Sequence, residues 1–166
     1  MVQDYIIQSD LGDEYKLRIT SENRWMLSEY LCNQLSKDCL EVVDIELERS
    51  KGLNVTNHKI LARIEECIAD FFQSHNNVLF CFFCDFISLV PSKKKDMPVQ
   101  EYRSKLFSAM FHRYVSQHHI SNLYNNVVKI KGVAETFYVH IIYRQEHSKY
   151  AKMIAEENLK EFNKPE

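Results

Sequence analysis

Two charged side chains, Asp85 and Arg103, are best suited by type and position to carry out chemistry. Asp85 follows the apolar run from Val78 to Cys84. We therefore expect it at the carboxyl end of a buried strand, where open α/β sheets often bind ligands. Its carboxylate could act as a base, bind a cation or accept a hydrogen bond. Arg103 lies among apolar residues and could hold an anion through two hydrogen bonds.

Both residues also have a structural interpretation, which stays open. Asp85 can cap the loop that follows its strand or pair with Arg103. The stem of Arg103 can simply cover apolar surface. If the pair instead acts on a substrate, the protein is a small hydrolase or nuclease-like enzyme centred on these two residues.

A run of three lysines lies between Asp85 and Arg103. Its members are Lys93, Lys94 and Lys95. Together with the nearby Tyr102 they could bind nucleic acid, because ammonium groups pair with phosphate and aromatic rings stack on bases. A solvated loop explains three lysines equally simply. The net charge of −2 provides no overall basic field, so nucleic acid is not the expected partner.

Cysteine and histidine spacing predicts neither a metal site nor a redox centre. Cys81 and Cys84 form a Cys-x-x-Cys pair, but residues three apart on a strand point to opposite faces, so we expect packed core thiols. His112 and His119 are two helical turns apart, too far to bridge one ion, and with His118 they are expected to be exposed. No cofactor is predicted, since three glycines leave little material for a phosphate-binding loop.

Alternating apolar and polar residues, together with short apolar runs, predict about six strands. They cover roughly 5–7, 15–20, 40–48, 78–84, 126–131 and 137–144. The first two and the last two are expected to form hairpins around Gly12 and Gly132. The strand 78–84 is apolar on both faces, which is typical of an inner strand. His140 alternates with Val139 and Ile141, so we expect it on the face away from the main apolar stripe.

Apolar residues at helical spacing predict four helices. They cover about 22–36, the segment between Asn57 and Asn76, a long segment that Asp96 caps with Pro98 in its first turn, and 148–162. The long third helix is expected to bury an apolar stripe consisting of Val99, Tyr102, Leu106, Met110 and Tyr114, widened by Phe107 and Phe111.

The predicted element order is ββ(α)βαβαββα, with the first helix the least regular. Helices between strands favour an α+β fold in which helices pack on one mixed, mainly antiparallel sheet. No linker or repeat divides the chain, so a single domain over 1–166 is expected.

Composition favours a folded protein that acts in the cytoplasm. The N-terminus lacks a basic segment followed by an apolar one. The run from Val78 to Cys84 is far shorter than the roughly 20 residues of a membrane helix. Five cysteines, an odd number, are the pattern of reduced thiols in a reducing compartment. Neither a secreted nor a membrane-spanning protein is expected.

The middle of the chain resembles a family of small bacterial proteins known only as a domain of unknown function. The similar residues are Ile60 to Phe72, then Phe80 to Asp85, then Arg103 to Phe111. In the family pattern a helix ending in Phe-Phe leads to a strand ending in Cys-Asp, and an arginine-containing helix follows. Met110 stands where that pattern has tryptophan. The resemblance implies a bacterial or phage-borne cytosolic protein and assigns no activity.

These observations favour a non-enzymatic binding or regulatory domain that acts through a protein partner. No nucleotide-binding or hydrolase signature is present in the sequence. The two predicted hairpins would also supply edge strands that can pair with a strand of a partner. The sequence does not specify the partner or the oligomeric state.

Overall fold

The computed structural model describes residues 1–21, 27–83 and 97–162, without the side chains of residues 160–162. The strands of the described part are β1 (Val2–Gln8), β2 (Glu14–Thr20), β3 (Glu41–Lys51), β4 (Val78–Phe83), β5 (Leu123–Lys131) and β6 (Thr136–Arg144). Its helices are α1 (Glu29–Lys37), α2 (His58–Ser74), α3 (Val99–Gln117) and α4 (Ser148–Phe162). None of these helices is long and apolar enough to cross a bilayer.

The strands form one six-stranded sheet in the order β1-β2-β3-β4-β6-β5. Only the β3–β4 pair in this sheet is parallel, and it is short: Glu41, Val42 and Val43 lie opposite Val78, Leu79 and Phe80. The other neighbours pair antiparallel. The sheet confirms the predicted α+β class, the predicted hairpins and the inner position of the strand that begins at Val78.

Helices cover both faces of the sheet. On the first face, called the α2/α3 face, Ile64, Phe71 and Phe107 pack on Leu17, Ile45 and Phe80. On the second, the α1/α4 face, Leu31, Leu35 and Ile154 pack on Leu79, Val139 and Ile141. Helices are needed on both sides because β4 sends Phe80 to one face and Leu79 to the other, and leaving either in water would be unfavourable.

Side-chain caps begin two of the helices. Ser28 accepts a hydrogen bond from the amide of Leu31 at the start of α1, and Asn57 accepts one from Ile60 at the start of α2. Each bond satisfies an amide that has no partner within its helix. The predicted cap Asp96 lies outside the described residues, and α3 begins at Val99 with Pro98 as its N-cap rather than in its first turn.

The predicted inward stripe of α3 is partly wrong. Val99 is 48% exposed, whereas the buried side chains of this helix are Ser104, Phe107 and Met110. Tyr102, Leu106 and Tyr114 are half-buried. The inner face of α3 thus includes a polar residue, Ser104, whose hydroxyl is hydrogen-bonded to His140 in the sheet.

A polar cluster fixes the loop between β3 and α2. The buried carboxylate of Asp13 accepts a hydrogen bond from the amide of Asn54 and lies 3.6 Å from the guanidinium of Arg49. Arg49 also bonds to the hydroxyl of Tyr15. Gly52 passes so close to this cluster that an added Cβ would lie 1.7 Å from Asp13 Oδ1, and its φ is +87°. Glycine is therefore required here for both space and conformation.

We expect Gly52→Ala to destabilise the protein more than Gly12→Ala. Both glycines have positive φ, but nothing lies within 4 Å of a Cβ at Gly12. Gly12→Ala should cost ~1–2 kcal/mol for its backbone conformation alone. Gly52→Ala should cost at least about twice as much, because Asp13 must also move. Thermal melting of both variants checks this, and equal melting temperatures would contradict it.

Candidate functional site

Only some of the residues predicted to do chemistry lie in the described part of the chain. Asp85 lies outside the described residues. The three lysines of the predicted nucleic-acid loop lie outside them as well: Lys93, Lys94 and Lys95. The other two candidates, Tyr102 and Arg103, are half-buried in the first turns of α3.

Arg103 lies near the carboxyl end of β4. The residue after it, Ser104, bonds to His140 on β6. The partner of His140 on β4 is Phe82, close to the end of that strand at Phe83. These contacts place the start of α3, which carries Arg103, near the carboxyl end of β4.

A chain of hydrogen bonds runs beneath α3 and was not predicted as a unit. Ser104 Oγ is 2.8 Å from His140 Nε2, and His140 Nδ1 is 3.0 Å from Asn125 Oδ1. The amide of Asn125 also donates to Ser108 Oγ at 3.4 Å. His140 is on the face away from the main stripe, as predicted, but α3 covers that face and leaves the imidazole 0% exposed.

The surroundings of His140 keep its imidazole neutral. Its ring stacks on Phe82 and meets the edge of Phe107, with centroids 5.6 and 5.0 Å away. Burial among these rings lowers the pKa of His140 to about 4. Because Asn125 Oδ1 can only accept, Nδ1 carries the proton, and Nε2 accepts from the hydroxyl of Ser104.

The order Ser104, His140, Asn125 is that of a nucleophile, a base and an orienting amide. Two properties of this chain oppose such chemistry. A general base works best with a pKa near the working pH, and the pKa of His140 is far below neutrality. Ser104 is 4% exposed, so a substrate could reach its hydroxyl only if α3 moved. The arrangement instead satisfies the polar side chains beneath α3 and holds this helix on β6 and β5.

A second feature, an apolar cleft, opens between α2 and α3. Its volume is about 220 Å³. The apolar side chains that line it include Ile68, Ala69, Phe72, Phe107, Met110, Phe111, Ile120 and Leu123. Of these, Phe107, Met110 and Phe111 belong to the stripe of α3 that the sequence predicted to face inward. A space between two helices and a strand depends on how they pack together, and no local sequence pattern reveals it.

Polar groups surround this cleft, and several are already bonded to one another. Arg144 donates to the carbonyl oxygens of Phe72, His75 and Asn76, which closes the C-terminal end of α2. Its guanidinium also lies 4.0 Å from the centre of the Phe72 ring. The amide of Gln73 donates to the Tyr114 hydroxyl at 3.2 Å. The cleft thus combines an apolar interior with a few fixed polar groups, the usual composition of a binding site.

The described cysteine of the Cys-x-x-Cys pair is a packed thiol, and the histidines near the end of α3 are exposed. Cys81 packs on the α1/α4 face and accepts a long 3.8 Å contact from the Asn158 amide. Burial raises the pKa of the Cys81 thiol to about 12, so it stays protonated, as expected of a core thiol. Cys84 lies outside the described residues. His112, His118 and His119 are exposed, as predicted, and the described residues contain no cluster suited to a metal ion.

Comparison of the chain with protein-family models, curated proteins and solved structures gave no match. The resemblance of the Ile60–Phe111 stretch to a bacterial family therefore stays a prediction. The fold and the site define a class only: an α+β domain with a mixed sheet covered by helices on both faces and an apolar cleft between two of those helices.

We expect the stability contributed by His140 to fall as the pH drops from about 6.5 to about 4. The pKa is 6.5 in the unfolded chain and about 4 in the folded one, so the unfolded state binds more protons in this window. The shift corresponds to about 3 kcal/mol. Denaturant unfolding across this pH range should show a smaller loss in His140→Gln than in wild type; a part remains because burial also lowers the pKa of His147. The exposed His112→Gln is the control and should keep the wild-type pH profile.

Ser104 should resist serine-directed reagents. A fluorophosphonate incubated with the folded protein is expected to leave its intact mass unchanged, because the hydroxyl is buried and its base is weak. Mass spectrometry of the treated protein reads this directly. An adduct on Ser104 that disappears in His140→Gln would show instead that the buried chain is a working hydrolase site.

Proposed function

We propose that the protein is a non-enzymatic binding domain that holds one apolar side chain of a protein partner in the cleft between α2 and α3. The observation that carries this proposal is the cleft itself, an apolar hollow of about 220 Å³ at the surface. Hot spots of protein interfaces have this form: a large side chain enters a well-packed pocket and is shielded from water.

The volume of the cleft favours a side chain over a whole cofactor. Pockets for drug-sized ligands usually measure roughly 300–1,000 Å³. An engineered cavity of roughly 150 Å³ in another protein holds benzene. A cleft of about 220 Å³ therefore suits a single aromatic ring or a branched aliphatic side chain. Its contacts with Phe72, Phe107 and Met110 would supply most of the binding energy.

The edge strand β5 extends this binding surface. β5 is the last of the described strands in the sheet order, so no described strand pairs with its outer side. Its first residue, Leu123, lines the cleft, and Tyr124 and Val127 are 41% and 38% exposed. An extended partner segment could pair its backbone with β5 and place a side chain in the cleft. This is the mode in which sheet edges commonly bind peptides.

The setting we infer for this binding is the cytoplasm. The described cysteines Cys32, Cys39, Cys67 and Cys81 are free thiols, which agrees with a reducing compartment.

Two other functions stay hypotheses. One is hydrolysis at Asp85 and Arg103. The other is nucleic-acid binding by Tyr102 together with the lysine loop, whose residues are Lys93, Lys94 and Lys95. Both depend on residues outside the described part of the chain, whereas the residues named above as lining the cleft lie within it.

Ala69→Trp is expected to close the cleft and abolish binding. Ala69 lines the cleft from α2 and is half-buried. An indole at this position can therefore fill the space proposed for the partner's side chain. The probe is N-acetyltryptophanamide, an uncharged mimic of one aromatic side chain, followed by NMR shifts of the protein amides. Wild type should show saturable shifts around Phe107 and Met110, and Ala69→Trp should show none.

Ala109→Trp is the matched control, since Ala109 is exposed on α3 and is not among the lining residues. It should bind the probe as wild type does. Both variants should melt close to wild type, which would exclude unfolding as the cause of lost binding. Absence of any saturable shift in wild type would overturn the proposal.

A further inference from the structure

We infer that the partner segment is basic: the cleft takes an apolar side chain that is followed closely by lysine or arginine. This inference rests on the proposed function and adds the charge of the partner to it. It comes from the charges that surround the mouth of the cleft and from which of them already bond to other groups of the protein.

The carboxylates lie along α2. Glu65 lines the cleft, and Glu66 and Asp70 follow on the solvent side of the same helix, where both are exposed. Glu66 and Asp70 are four residues apart, so they lie on one side of the helix, one turn from each other. Gln73, which lines the cleft, is three residues beyond Asp70 and continues that row. The row of carboxylates therefore leads into the mouth of the cleft.

The cations at the cleft are already matched. Arg113 bonds to Glu65 Oε2 at 2.8 Å. Arg144 is held by three carbonyl oxygens at the C-terminal end of α2, which is the negative end of that helix dipole. Within the described part of the chain, by contrast, neither Glu66 nor Asp70 forms an ion pair. The charge left to meet a partner is negative.

The same carboxylates affect the pKa of Tyr114, which lies on the opposite wall of the cleft. Its hydroxyl accepts a hydrogen bond from the Gln73 amide across the mouth of the cleft. Burial, followed by the nearby carboxylates of Asp70, Glu65 and Glu66, raises the pKa of Tyr114. All three carboxylates thus act on a group that lines the cleft. A cation placed beside a bound ring would meet these carboxylates, whereas an anion there would be repelled.

Three capped tetrapeptides that differ only in the residue after tryptophan test the charge of the partner. That residue is lysine, glutamine or glutamate, and binding to the full chain is followed by NMR shifts at low ionic strength. The lysine peptide should bind about five- to tenfold more tightly than the glutamate peptide, as expected for two exposed carboxylates. The difference should shrink in high salt, because surface charges are screened.

Two double variants distinguish the local effect of these carboxylates on peptide binding from the effect of the protein's net charge. Glu66→Gln combined with Asp70→Asn should remove the preference for lysine and leave the glutamine peptide unaffected. The matched control combines Glu46→Gln with Glu48→Gln, since both residues are exposed on β3 and point away from the α2/α3 face. The control changes the net charge equally and should keep the preference.

Each remaining outcome has a distinct meaning. Equal binding of the three peptides, with N-acetyltryptophanamide also bound, would overturn the basic partner and leave the proposed function standing. Failure of every probe, including N-acetyltryptophanamide, would overturn both. Binding of tryptamine as tight as that of the lysine peptide would assign the cleft to a small organic cation rather than a protein segment, and would overturn the inference as stated.

Discussion

The parallel pairing of β3 with β4 is the constraint on which the rest of the structure depends. Only three residue pairs form it, yet it joins the antiparallel half β1-β2-β3 to the half β4-β6-β5. Parallel neighbours cannot be linked by a tight turn, so the chain must cross over the sheet between them. Helix α2 is that crossover. Its position over the first face follows from the connection between β3 and β4.

The cleft follows from this crossover in turn. α2 covers the β1–β4 part of the α2/α3 face, and α3 lies over β6 and β5 on the same face, with Ser104 bonded to His140. Arg144, at the end of β6, bonds to the C-terminal carbonyl oxygens of α2. These two anchors hold the helices at separate places on the sheet. A cleft lined mainly by apolar side chains therefore remains between the two helices.

Much of the fold could be predicted because local sequence patterns record which face of an element is buried. Leu17 and Ile19 alternate with polar residues along β2, and Ile45 and Leu47 do so along β3, since successive strand residues face opposite ways. β4 lacks such alternation, which indicates an inner strand. The α+β class, the hairpins and the strand positions follow from signals of this kind.

The candidate site could not be predicted in the same way. Ser104 and His140 are 36 residues apart, and His140 and Asn125 are 15 apart, so their contact depends on strand order and on the rotation of α3. The cleft likewise depends on how α2 and α3 are placed relative to each other on the sheet. The sequence determined which faces of the strands are buried, because burial there is a local pattern, but it gave the buried face of α3 only in part. Only the tertiary structure decided which buried faces meet and which stay apart, because that depends on packing between distant segments.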